Sequence, residues 1–286
     1  MRQRSISAIG IVLFAAIPAF LGGVVFAIAM LVIALVSLHE LISSYRSAGF
    51  APFRRTAFIA GAAIILIGAI EPLKAIPWLI IALLVATLVV PMVRSSLEGA
   101  LTDWSLSFAG IIYVTLPLTF AIGLRGFAGN SSQHWVNTVA GWFDSSGKGL
   151  ALVGIVFAVT WFNDTAAYLA GRSFGKSKLV PTISPGKTRV GAAAGLIAGA
   201  LTGMLAAWIF GLPVNIALAA MIGFLLAIAG QLGDLAESLI KRSLGVKDMG
   251  TLIPGHGGML DRIDALLFTF PITYALAELF TRIGWM

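Results

Sequence analysis

Cysteine is absent from this chain, which excludes disulfides and thiolate metal sites and leaves redox chemistry silent about compartment. Charge is scarce too. Asp, Glu, Lys and Arg together supply 11% of the residues, where a soluble domain carries about a quarter. Hydrophobic residues fill 59% of the 286 positions and the mean hydropathy is +0.98, so the chain is an integral membrane protein. The few charges are unbalanced, with 19 basic against 12 acidic residues and a net charge of +7. In a membrane protein that excess reads as positive-inside bias and attraction to anionic headgroups. Basic and aromatic residues are not interleaved on any soluble segment, so nucleic acid is not an expected partner. No internal repeat is evident, which weakens an inverted-repeat transporter reading.

Long apolar runs are what the chain has in place of charge. Arg2 and Arg4 precede a run over residues 6–38, too long for one span and broken by Pro18 and Gly22-Gly23. It reads as a short helix, a turn and a second helix; a signal peptide would require a polar cleavage region that is not seen. Further spans near the ~20 residues a bilayer requires are expected at about 56–70, 75–93, 104–124, 149–171, 190–211, 213–240 and 259–281. This predicts an all-α polytopic protein of about nine transmembrane helices. Residues 1–286 form a single transmembrane domain, with membrane helices in 1–145 and the polar motifs in 146–286. With the N-terminus cytoplasmic, 15 of the 19 basic residues lie inside, and only Lys74, Arg125, Lys148 and Arg282 lie outside. The longest external connection, 126–147, holds Trp135, Trp142 and Phe143, suited to the membrane interface. Asn130-Ser131-Ser132 formally fits a glycosylation acceptor and is assigned no function.

The densest polar stretch is 238–264: Ser238-x-x-Lys241-Arg242, Lys247-Asp248, Pro254-Gly255-His256-Gly257-Gly258, Asp261-Arg262-x-Asp264. Its glycines let backbone N–H groups approach a ligand, and a helix N-terminus follows, which favours a phosphate. Asp261 and Asp264, three apart at the start of that helix, share a face and suit a hard cation. A loop of positive-inside lysines would explain any one of these features but not their conjunction.

Two upstream segments join it. Asn163 and Asp164 lie about seven residues before a helix end, ~10 Å inside the cytoplasmic boundary, where an Asp is expensive and its default reading is functional. Asp234, Ser238 and Lys241 fall at i, i+4 and i+7 on one helical stripe. Three helices thus bring carboxylates to one cytoplasmic-side level. The intervening loop reads Ser184-Pro-Gly-Lys187-Thr188. It is not a P-loop, because Pro181 stands where the first glycine would fall and no strand is expected before it; Lys187 is a candidate phosphate partner.

The order and spacing of the 238–264 motifs resemble the signature of the CDP-diacylglycerol synthases, or phosphatidate cytidylyltransferases. Asn163-Asp164-x-x-Ala-Tyr-x-x-Gly-Arg172-x-x-Gly and Ser184-Pro-Gly-Lys187-Thr188 resemble further motifs of that family, with Val190 where members usually place Glu or Gln. The resemblance implies transfer of a cytidylyl group from CTP to phosphatidate, giving CDP-diacylglycerol and pyrophosphate in phospholipid biosynthesis. Asp234, Lys241, Asp261 and Asp264 would be catalytic, and Asp234, Asp261, Asp264, Asn163 and Asp164 would hold metal. Substrate contacts would come from Arg172, Ser184, Lys187, Thr188, Ser238, Arg242, Lys247, His256, Gly257, Gly258 and Arg262. Magnesium is implied, with room for a second metal ion and for a homodimer among membrane lipids. The expected location is the inner, cytoplasmic membrane, with the site open to the cytoplasm. Two alternatives stay open: the same chemistry on an ether-lipid or polyprenyl phosphate, and a cation-coupled transporter using Asp164 and Asp234.

Overall fold

The computed structural model describes residues 15–70, 76–92, 97–142, 146–252 and 257–285. Residues 15–21 are helical, and the chain then breaks at Gly22 and Gly23, whose φ values of 65° and 48° only glycine adopts easily. Beyond the break run α1 (Gly23–Ser47), α2 (Arg54–Ile70), α3 (Ile76–Met92), α4 (Ala100–Arg125) and a short α5 (His134–Gly141). The second half comprises α6 (Gly147–Phe174), β1 (Lys178–Val180), β2 (Ser184–Thr188), α7 (Arg189–Phe210), α8 (Ile216–Ser243), α9 (Leu260–Ile263) and α10 (Leu266–Arg282).

Six stretches among the described residues are long and apolar enough to cross a membrane: α1, α4, α6, α7, α8 and the continuous stretch Leu260–Arg282. The sequence led us to expect nine. The shortfall has a physical cause in α2 and α3, each of 17 residues, which at 1.5 Å per residue reach about 26 Å against a hydrocarbon core of about 30 Å. The remaining expected span falls around residues 15–21 and the undescribed residues before them. The regular structure among the described residues is helical apart from one departure. The segment read as an open loop folds into an antiparallel ribbon, Lys178 opposite Thr188 and Val180 opposite Ser184.

Helix packing explains how the polar motifs come together. Apolar burial drives no association within a bilayer, so close approach of small residues must supply it. On α7, Gly191, Gly195, Gly199 and Gly203 recur every fourth residue and are all buried. A Cβ on Gly203 would stand 2.5 Å from the Ala219 carbonyl and 2.7 Å from Gly223, so α7 and α8 touch backbone to backbone. α7 packs most extensively on α6 and next on α8, forming a three-helix slab. At the end of the bundle where α4 stops, Arg125 is 2% exposed, and its guanidinium donates to the carbonyls of Ala19 (2.6 Å), Phe20 (3.3 Å) and Ser146 (3.2 Å). Lys148 is buried nearby, its ammonium over the Phe127 ring. Two of the four basic residues assigned to the outer side are therefore structural parts of the interior rather than loop charges.

Candidate active site

At the opposite end, the stripe of α8 meets the turn that precedes α9. Helical periodicity puts Asp234, Glu237, Ser238 and Lys241 on neighbouring positions. Ser238 is buried and donates to Asp234 across 3.4 Å. Lys241 lies between two carboxylates: it pairs with Glu237 one turn earlier and with Asp261 at 2.8 Å. The other oxygen of Asp261 accepts the N–H groups of Gly258 (2.7 Å) and Met249 (3.0 Å). Asp261 is thus buried and accepts three hydrogen bonds, tying Lys241 to both sides of the turn.

Asp264 behaves differently. α9 ends at Ile263, and among the described residues the Asp264 carboxylate accepts only the N–H of Ala265, at 2.7 Å. It lies within range of the charges of Asp234, Asp164 and Lys241. Asp264 and Ala265 keep right-handed helical φ and ψ, so the i, i+3 relation to Asp261 is retained while the partners differ: Asp261 is bonded to the loop and Lys241, and Asp264 lies toward the other acids.

The third wall comes from α6 and the ribbon. Lys187, in β2, places its ammonium 2.8 Å from Asp234, without a directed hydrogen bond. Asn163 is fully buried, and its amide nitrogen donates to Asp164 at 2.9 Å. Its oxygen accepts from Gln231 at 2.9 Å, and the same Gln231 nitrogen donates to the Ala192 carbonyl at 3.0 Å. A carbonyl can only accept, so Ala192 fixes the Gln231 amide, which fixes that of Asn163. The metal-ligand role expected of Asn163 is not matched by this geometry, because its oxygen is turned away from the acids.

The other expected residues divide into structural, exposed and undescribed groups. Thr188 is buried and caps α7 by accepting the N–H of Gly191 at 3.1 Å. Ser184 pairs with Val180 in the ribbon. Arg242, exposed, donates to the Ile183 carbonyl at 3.3 Å and so ties α8 to the ribbon tip. Arg172 is exposed and, among the described residues, meets only the Tyr168 hydroxyl, 3.3 Å away. Lys247 and Arg262 are exposed. Gly257 (φ 83°) and Gly258 crowd against carboxylates, a Cβ at Gly257 standing 2.9 Å from Asp261. His256 lies outside the described residues. Sequence reasoning missed Glu237, Gln231 and Tyr113. Glu237 is fully buried, and the buried Tyr113 hydroxyl of α4 lies within range of its charge and that of Asp264. A signal for Glu237 was present: it is an acid one turn before Lys241.

The donor chemistry suits a hard cation. Five acidic side chains (Asp164, Asp234, Glu237, Asp261 and Asp264) face two lysines, and Asp164, Asp234 and Asp264 lie within range of one another's charge. All offer oxygen, the ligand magnesium takes. Among the described residues no three acidic or histidine side chains are already gathered as a metal shell. A bound cation would have to draw the carboxylates together.

Motif order, helical frame and acid-rich end belong to one class of membrane protein. Residues 2–280 match the model of the cytidylyltransferase family, and the chain belongs to that family. A phosphatidate cytidylyltransferase of Synechocystis is 31% identical to it over 95% of this chain and 94% of the relative. The uncharacterized protein YnbB of Escherichia coli is 48% identical over 44% of this chain and 42% of the relative. A phosphatidate cytidylyltransferase of Staphylococcus epidermidis is 42% identical over 46% and 50%. The chain spans about half the length of these last two relatives.

Proposed function

We propose that this chain transfers the cytidylyl group of CTP to the phosphate of phosphatidate, releasing pyrophosphate. The carrying observation is the acid-rich cluster with Lys187 and Lys241 at one end of a membrane bundle, where a lipid headgroup and a water-soluble nucleotide can meet. A phosphatidate oxygen attacks the α-phosphorus of CTP, and the bond from that phosphorus to the bridging oxygen of the leaving pyrophosphate breaks. A phosphate monoester with a second pKa of ~6 is largely a dianion at neutral pH, so the attacking oxygen needs no general base. What the reaction needs is relief of repulsion between two anions.

The residues divide that task. Asp164, Asp234 and Asp264 would hold magnesium, which supplies charge neutralisation at the phosphates undergoing exchange. Lys187 exchanges its contact with Asp234 for a phosphate of the nucleotide. Lys241, oriented by Glu237 and Asp261, presents its remaining donor to the leaving side. Arg242 keeps the ribbon over the site. The basic-rich flank supports a site open to the cytoplasm, where CTP is dissolved, in a chain set in the inner membrane.

The test uses purified protein in lipid nanodiscs with CTP and magnesium. Pyrophosphate should appear only when phosphatidate is added. Release without lipid, release with an ether-lipid or polyprenyl phosphate in preference to phosphatidate, or activity undiminished in excess chelator would each break part of the reading.

A further inference from the structure

Glu40 belongs to α1, 219 residues before Met259 and outside every motif of the second half, yet it reaches the site. It is 6% exposed, and its two oxygens accept the N–H groups of Met259 and Leu260, each at 2.9 Å. These amides open α9, the turn of helix that carries Asp261, and a helix start has no carbonyl of its own to satisfy them. Next to them Gly258 donates to Asp261, so three consecutive amides are held by two carboxylates. One turn beyond Glu40, the Ser44 hydroxyl donates to the Met249 carbonyl at 3.2 Å. The end of α1 therefore grips both sides of the turn between α8 and α9.

The fit is close. A Cβ on Gly250 would stand 2.5 Å from one Glu40 oxygen, and one on Gly258 would stand 2.6 Å from the other. Glycine at both positions lets the carboxylate enter. We infer that Glu40 is a positioning residue: it fixes the start of α9 and, through it, the directions of Asp261 and Asp264. This rests on the site proposed above. Only a carboxylate accepts from two adjacent amides with two equivalent oxygens, whereas an amide side chain would turn an NH2 toward one of them.

The experiment compares wild type with Glu40→Gln as full-length protein, by amide hydrogen exchange and by steady-state kinetics. Exchange at residues 259 and 260 should accelerate at least tenfold while that of the α4 interior stays unchanged. The kcat should fall at least tenfold, with the KM for phosphatidate within twofold. Unchanged exchange at 259 and 260, or a kcat within twofold of wild type, overturns the assignment. So does exchange raised equally in α4, or a variant that does not fold, because Glu40 would then be a general strut. Wild-type protein inactive on CTP and phosphatidate would defeat the functional reading alone, and the exchange result would still decide the role of Glu40.

Discussion

The two ends of the bundle both hold cations, buried at one end and half-buried at the other, and they satisfy them in opposite ways. Arg125 meets three backbone carbonyls, neutral groups fixed by the chain around them. Lys187 and Lys241 meet carboxylates, which outnumber them within one cluster. At the first end each guanidinium nitrogen has a carbonyl partner and no carboxylate is among them. At the second, charge of one sign is in surplus, and Asp264 retains acceptor capacity. Burial of a charge is therefore weak grounds for a functional site in this molecule; unmatched charge is the stronger ground.

Substitutions can break that contrast. The largest effect is expected for Asp264→Asn, which preserves shape and the bond to Ala265 but removes a charge. Turnover should fall by about 10³ with the melting temperature nearly unchanged, a loss typical of removing an electrostatic partner of the transition state. Near-normal turnover across a magnesium titration would remove Asp264 from the cation site. Next comes Arg125→Ala, which leaves three carbonyls without their donor and should cost about 3 kcal/mol of stability. The measurement is the thermal midpoint in detergent, and turnover per folded molecule should stay within about twofold. A selective loss of turnover would mean that this end also takes part in the reaction. The smallest effect belongs to Arg172→Ala. Despite its place in a family-like motif, this arginine is exposed and, among the described residues, bonds only to Tyr168, so a change within about threefold is expected, as for surface charges generally. A hundredfold loss would show that Arg172 folds onto substrate.

Residues whose partners lie within two turns were legible in the sequence. Asp234 with Ser238 is an i, i+4 relation and leaves a periodic trace. The motif segments were legible as well, because charge and glycine stand out against hydrocarbon. Tertiary partners leave no such trace. Nothing in the spacing connects Glu40 to Leu260, or Gln231 to Asn163 across 68 residues. Asp261 and Asp264 illustrate the limit from the other side: the i, i+3 spacing does not show that Asp261 holds Lys241 and two loop amides while Asp264 holds the Ala265 amide. The ribbon was missed because Ser184-Pro-Gly-Lys-Thr lacks the alternating apolar pattern of a strand; its sides are set by the flanking helices.

The glycine face of α7 has a consequence for how the protein lives with its surroundings. Contacts between bare backbones draw their cohesion from dispersion among protein atoms, and oil outside the bundle contributes little to it. Meanwhile α7 turns Ile197, Leu201, Leu205 and Trp208 outward, exposed. The exposed apolar face of this helix is thus kept apart from the face that holds the frame. For a chain proposed to consume a bilayer lipid, the medium that solvates it is also the pool it depletes. A frame cohering through its own backbone contacts depends less on that changing medium than one held by lipid would.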